Sequence, residues 1–250
     1  MSARPPRILV IAGSDSSGGA GIQADIKTVT MLGGYAMTAI TAVTAQNTRG
    51  VTGVEALSPD FVAAQIDACL EDIGADAVKI GMLGSADIAE VVADRLEDLG
   101  KPIVFDPVMV ATSGSVLADE ATIEVFEWLM DLATLTTPNV PELEALGGAS
   151  GMAARGVTYL AKGGDADGPM VEDRLVRPGT QDVVWSDARI VTKHTHGTGC
   201  TLSSAIATHL GHGLDLEQAI AKARLFVREA LKSAPGFGLG NGPLGHQAVR

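Results

Sequence analysis

His194-Thr195-His196-Gly197-Thr198-Gly199-Cys200 places two glycines, a threonine and a thiol directly before an apolar helix-like stretch, Thr201 to Leu210. The glycines let the backbone turn tightly and point successive N–H groups one way, toward the positive end of the next helix. Such a loop makes a pocket for an anion, and Gly197, Thr198 and Gly199 are its candidate donors. Cys200 falls on the first helical turn, where a thiol is expected to be more acidic than its ordinary ~8.5. An anion loop beside an activated side chain points to phosphoryl transfer, with charge in flight held by backbone amides. The same residues also read as a glycine-rich helix cap with a buried cysteine.

The elements that must position this loop alternate along the chain. Ile8–Ala12, Ala36–Ala45, Ala77–Ile80, Ile103–Phe105, Thr134–Thr136 and Val157–Ala161 read as strands. Ile22–Leu32, Asp60–Ile73, Ala86–Leu99 and Glu120–Leu132 read as helices, the second capped by Ser58 with Pro59 at its first position. Val171–Val176 and Asp182–Trp185 read as a hairpin across Pro178-Gly179. Thr201–Leu210 and Leu216–Lys232 read as the last two helices, and Gly236–Gly245 as an irregular surface segment. Strands alternating with helices predict an α/β fold with a mostly parallel central sheet and helices on both faces, in one domain over residues 1–250.

Polar residues gather where the strands stop. Gly13-Ser14-Asp15, Gln46-Asn47, Gly81-Met82, Asp106-Pro107, Asn139 with Glu142, and Lys162-Gly163-Gly164 each follow a strand. In open parallel sheets ligands bind beyond the carboxyl ends of the strands, so these groups are predicted to share one edge. Neither Gly13–Ala20 nor Gly19–Ala24 is a competent nucleotide motif of another kind. The first lacks the Lys and Ser/Thr of a P-loop, and the second does not follow its strand directly.

Composition narrows the classes. The formal net charge is −12, and no Lys/Arg cluster tracks a nucleic-acid backbone, so nucleic acid is not an expected partner. No apolar run approaches the ~20 residues of a membrane span, and after the short polar stretch Met1–Arg7 the apolar run Ile8–Ala12 is too brief for a signal. Two cysteines, Cys69 and Cys200, make no disulfide framework, which fits a cytoplasmic location.

Seven motifs in order carry a resemblance: Ala12–Asp25, Ala45–Gly50, Lys79–Leu83, Asp106–Met109, Thr137–Asn139, Lys162–Gly164 and Thr195–Thr201. Together they resemble the hydroxymethylpyrimidine/phosphomethylpyrimidine kinases, the thiamine-pathway branch of the ribokinase-like superfamily. That resemblance implies two ATP-dependent, Mg²⁺-assisted phosphorylations of one pyrimidine, first at its alcohol and then at the monophosphate. It implies that Gln46 reads the aminopyrimidine edge and that Gly13, Ala20, Met82 and Val108 wall the ring. Asp25 would lie near the ring or its hydroxymethyl arm. Asn139 and Lys162 would serve the nucleotide, with Thr198 and its flanking glycines forming the anion hole. Glu142 and Asp106 would lie on the metal side, although Asp106 before Pro107 also suits a plain turn. Most ribokinase-like enzymes carry Asp where Cys200 stands, which implies a base role for the thiol. His196 reads either as a base or as loop packing. The resemblance also implies a homodimer.

One stretch departs from the family pattern. Only 20 positions lead from Glu142 to Lys162, and Gly147–Gly151 is expected to leave little room for the usual helix. Two alternatives stand beside the main reading: a pyridoxal or pyridoxine kinase on the same scaffold, and a non-catalytic pyrimidine-binding protein.

Overall fold

The computed structural model describes residues 4–110 and 117–249; the first residues of the N-terminal stretch, Met1–Ala3, lie outside them. The chain runs β1 (Arg7–Asp15), α1 (Gly21–Met31), β2 (Tyr35–Asn47), β3 (Gly50–Ala56), α2 (Pro59–Asp72), β4 (Ala77–Ile80), α3 (Ala86–Leu96), β5 (Ile103–Phe105) and α4 (Glu120–Leu132). It continues through β6 (Leu135–Thr136), α5 (Val140–Ala145), α6 (Gly148–Arg155), β7 (Tyr159–Ala161), β8 (Met170–Val176), β9 (Val183–Ala188), α7 (Thr198–Gly211) and α8 (Leu216–Lys232). A 3₁₀ turn at His246–Ala248 follows.

Among the described residues the strands form one nine-stranded sheet in the order β3-β2-β1-β4-β5-β6-β7-β8-β9. From β2 to β7 neighbours are parallel, whereas β3, β8 and β9 are antiparallel additions at the two edges. The architecture is the expected α/β one, a mostly parallel central sheet with helices on both faces.

β1 shows why this sheet must be covered twice. Leu9 and Ile11 point into one core with Val62, Ile88, Val92, Phe105 and Phe126. Ile8, Val10 and Ala12 point into the other with Ile22, Val29, Ile206 and Ile220. A strand apolar on both faces is stable only between two helical layers. α2, α3 and α4 supply one layer, and α1, α7 and α8 the other.

Three expectations fail. The short segment after Glu142 does hold a helix: α5 runs through Glu142 itself, and α6 follows over Gly148–Arg155. Positive φ at Gly147 and Gly148 turns the chain sharply between them, and α6 anchors itself through fully buried Met152. β3 was not expected; its exposed, glycine-containing sequence lacks the apolar alternation that marks a strand, and pairing with β2 alone creates it. Nor is Gly236–Gly245 merely a surface segment, since Leu244 is buried and Pro243 bridges His196.

Candidate active site

The carboxyl ends of β1, β2, β4, β5, β6 and β7 open on a cavity of about 970 Å³. Gly13, Ala20, Gln46, Met82, Asp106, Val108, Asn139, Glu142, Lys162 and Gly197–Cys200 all line it, so the sheet gathers nearly every residue the sequence singled out. Asp25 is the exception. It is wholly buried on α1, taking two hydrogen bonds from Lys79 Nζ (3.1 and 3.0 Å) and one from Ser204 Oγ (2.6 Å), and it does not line the cavity. Direct contact with the ring or its arm is therefore not its place. It is the counter-ion of a lysine that the strand Ala77–Ile80 carries into the core. Burial alone would lower the Lys79 pKa, but Asp25 outweighs it and holds the ammonium protonated. Breaking such a pair by removing one member costs about 3–5 kcal/mol.

The candidate anion-binding turn is built on α7. Gly197, at φ 87°, precedes it, and a side chain there would strike the Gly19 carbonyl. The first-turn amides have no intrahelical acceptor. That of Thr198 folds back to Thr195 O (3.2 Å), and those of Gly199 and Cys200 follow it on the turn that lines the cavity. Beside them Lys162 Nζ donates to Asp106 Oδ1 (2.8 Å) and lies 3.6 Å from Glu142 Oε2. Asp106 also accepts from Thr137 Oγ1 (3.0 Å) and Ser203 Oγ (3.3 Å). Burial alone would raise the Asp106 pKa; Lys162 and then Lys79 reverse this and hold it below the usual range. For Glu142 burial prevails over Lys162 and pushes the carboxyl up. Asn139 and Glu142 form a reciprocal capping box, Glu142 N to Asn139 Oδ1 (2.9 Å) and Asn139 N to Glu142 Oε2 (2.8 Å).

Among the described residues no cluster of three His, Cys, Asp or Glu could hold a metal ion. The donors at this edge are two carboxylates, Asp106 and Glu142. That set fits an ion such as Mg²⁺, which keeps waters and takes one or two carboxylates plus substrate phosphates, and does not fit an all-protein cage.

The thiol departs from expectation. Burial pushes Cys200 up to about 11, and the compensating attraction of Lys79 does not reverse it. The helix end acidifies a thiol that water also reaches; here desolvation outweighs it, and Asp25 and Asp106 add repulsion.

On the β1 side of the same loop the sequence left a network unread. Asp15 Oδ1 accepts from Ser17 N and Oγ (both 2.8 Å), and Oδ2 from Gly19 N (3.0 Å), Ala20 N (2.8 Å) and His196 Nε2 (2.8 Å). Burial alone would raise the Asp15 pKa, yet these hydrogen bonds, that of His196 foremost, hold it well below the usual range. An ionised carboxylate only accepts, so the His196 proton must sit on Nε2. His196 is thus a loop-anchoring residue. Lys79 and Asp15 each carried a signal: a charge inside an otherwise apolar strand, and an acid where a strand gives way to a glycine turn.

With the site in view, comparison with known proteins gives a family. The phosphomethylpyrimidine kinase model matches residues 15–245. This chain belongs to the phosphomethylpyrimidine kinase family. It is therefore a kinase. The hydroxymethylpyrimidine/phosphomethylpyrimidine kinase of Synechococcus elongatus is 44% identical, over 96% of this chain and 97% of that one. The thiamine biosynthesis bifunctional protein ThiED of Geobacter sulfurreducens is also 44% identical over 96% of this chain, but the chain spans only about half (52%) of that relative's length. Among solved structures, the Bacillus subtilis pyridoxal kinase, in an ADP complex, superposes with a TM-score of 0.88 at 33% identity, covering 99% of both chains.

Proposed function

We propose that the chain transfers a phosphoryl group from ATP to the hydroxymethyl oxygen of 4-amino-5-hydroxymethyl-2-methylpyrimidine, and then a second one to the monophosphate, within thiamine biosynthesis. The observation that carries this reading is one cavity lined both by a selective amide, Gln46, and by the α7 anion loop with Lys162. Residues 1–250 act as one kinase unit in this reading. Lys162 and the amides of Gly199 and Cys200 would take the phosphates, with Asn139 and Thr198 beside the nucleotide. Mg²⁺, when bound, would neutralise charge on the transferring group, held by Glu142 and Asp106. The transfer itself then needs mainly alignment and charge stabilisation.

Gln46 is set to read a ring. Its Oε1 lies 3.1 Å from Thr44 Oγ1, whose one proton also has Ser14 O in reach (3.0 Å). Its Nε2 lies 3.4 Å from His196 Nε2, which already carries a proton for Asp15, so that nitrogen offers no lone pair. The amide hydrogens of Gln46 are left for a ligand. Gly13 and Met82 complete the wall, the Met82 methyl filling the space a Gly13 side chain would occupy.

The likeness to pyridoxal kinase supports a second activity on pyridoxal in the same cavity. ATP consumption measured with the pyrimidine alcohol, its monophosphate and pyridoxal as separate acceptors tests these readings together. No turnover with any of them would place the kinase's acceptor outside this set. Gln46→Met is expected to cost the pyrimidine about 1–3 kcal/mol of apparent binding and to spare pyridoxal. Equal losses for both acceptors would show that Gln46 shapes the pocket without reading the ring.

No helix among the described residues is long and apolar enough to cross a membrane, and we place the kinase in the cytoplasm. Exposed Val43 and Val54 on the β2–β3 ribbon support a homodimer, which sedimentation velocity would reveal or refute.

A further inference from the structure

Two glycines give the anion loop its shape, and Thr198 between them ties it only to itself, its Oγ1 donating to Thr195 O (2.7 Å). Its position must come from outside. One side is clear: the Gly19 carbonyl packs against Gly197, and Asp15 holds the His196 ring. The other side is the C-terminal segment. His196 N donates to Gly242 O (3.1 Å), and Pro243 forms a bridge with His196. His246, 1% exposed, brings Nε2 to 2.8 Å from Thr201 Oγ1, the residue after Cys200. That hydroxyl also lies 2.8 Å from Gly197 O. Farther back along the strap, Gly240 N donates to Thr48 Oγ1 (3.2 Å), on the turn that follows Gln46. Gly245 N donates to Ala230 O (2.9 Å), which fastens the segment to α8.

We infer that residues 236–249 are a strap that positions the anion loop, and that His246, acting through Thr201, is a positioning residue for phosphoryl transfer. The inference rests on the kinase reading above. The strap ties together the turn after Gln46 and the loop before Cys200, which meet where Gln46 Nε2 lies 3.4 Å from His196 Nε2. His246 suits this task because it does not change charge at working pH. Burial first, and then Lys27, lower its pKa to about 4, so the ring stays neutral. Thr201 has one hydroxyl proton and two acceptors in reach, Gly197 O and the imidazole, so the ring sets how firmly the first turn is closed on itself.

The test uses the full chain. His246→Leu removes both ring nitrogens, His246→Gln restores a polar reach to Thr201, and Thr201→Val removes the hydroxyl without changing the volume much. His246→Leu and Thr201→Val are each expected to lower kcat for the pyrimidine alcohol about tenfold, because a misplaced donor set loses alignment. KM for ATP and for the acceptor should stay within about twofold, a split expected of an interaction that matters only in the transition state. His246→Gln should recover most of the rate. The double variant should be no slower than either single one, since both remove the same contact. A second readout needs no turnover: on a Cys69→Ser background, ligand-free Cys200 should react faster with iodoacetamide in His246→Leu. Unchanged kcat and unchanged alkylation in folded His246→Leu overturn the inference, as do additive losses in the double variant. Should His246→Leu not fold, Thr201→Val and His246→Gln decide it. A wild-type chain without ATP-dependent turnover sinks the kinase reading, while the alkylation arm still tests the strap.

Discussion

Cys200→Ala is expected to slow phosphorylation of the pyrimidine alcohol by ~10²–10⁴-fold, the usual worth of a general base. It should slow phosphorylation of the monophosphate far less. The two acceptors differ in one respect. The alcohol must lose a proton as it attacks, whereas a phosphate monoester has a second pKa of ~6 and is already largely ionised at neutral pH. The pH profile sharpens the test. Desolvation holds the Cys200 thiol near 11, so its ionised fraction rises about tenfold for each pH unit from 7 to 9. The alcohol step in the wild-type chain should climb with that slope in kcat/KM, and the monophosphate step should stay nearly flat. Cys200→Asp should partly restore the first step and flatten its profile, because a carboxylate is ionised throughout. Each acceptor must be supplied pure and each rate measured alone. If Cys200→Ala slowed both steps alike, the thiol would serve the anion loop as a packing element and the alcohol's proton would leave by another route.

The same residue shows where sequence reading stops. Its place on the first turn of α7 was legible from two glycines before an apolar run, and the helix dipole argued for an acidic thiol. Desolvation, which decides the outcome, depends on what packs over the sulfur, and no local pattern carries that. Asp25 is the same lesson in reverse. Its motif put it next to the ring, but the strand beside it brought Lys79 into the core, and a buried ammonium claims the nearest carboxylate. The parallel core of the sheet was readable because its strands are short apolar runs alternating with helix-like stretches. β3 was not, because an exposed edge strand is made by its partner rather than by its own composition. α6 was hidden by glycines that read as breakers and act as the turn between two short helices. The tail was misread for a related reason: its glycines permit close approach to Thr48 and His194, and a glycine-rich run looks the same whether it packs or not.

Glu142→Gln is expected to lower turnover at saturating ATP by on the order of a hundredfold, the typical loss when one element of a charge-stabilising set is removed. The fold should survive. Glutamine serves in a capping box as glutamate does, so its side-chain oxygen can still accept from Asn139 N and keep the first turn of α5. Lys162 keeps Asp106 at 2.8 Å and so remains in place. Only the charge is lost, and with it one of the two carboxylates proposed for Mg²⁺. The dependence on Mg²⁺ should therefore shift to higher concentration, while the melting temperature stays close to that of the parent. Lys162→Met separates this from general damage. It leaves Asp106 and Glu142, 1% and 6% exposed, facing each other without their shared cation. Removing one partner of a buried ion pair costs about 3–5 kcal/mol, so here melting temperature and activity should fall together. Initial rates across a Mg²⁺ titration, with thermal melts of the same samples, check both variants. An unchanged Mg²⁺ profile and rate in Glu142→Gln would confine that carboxylate to its helix cap and leave Asp106 as the carboxylate that meets the ion.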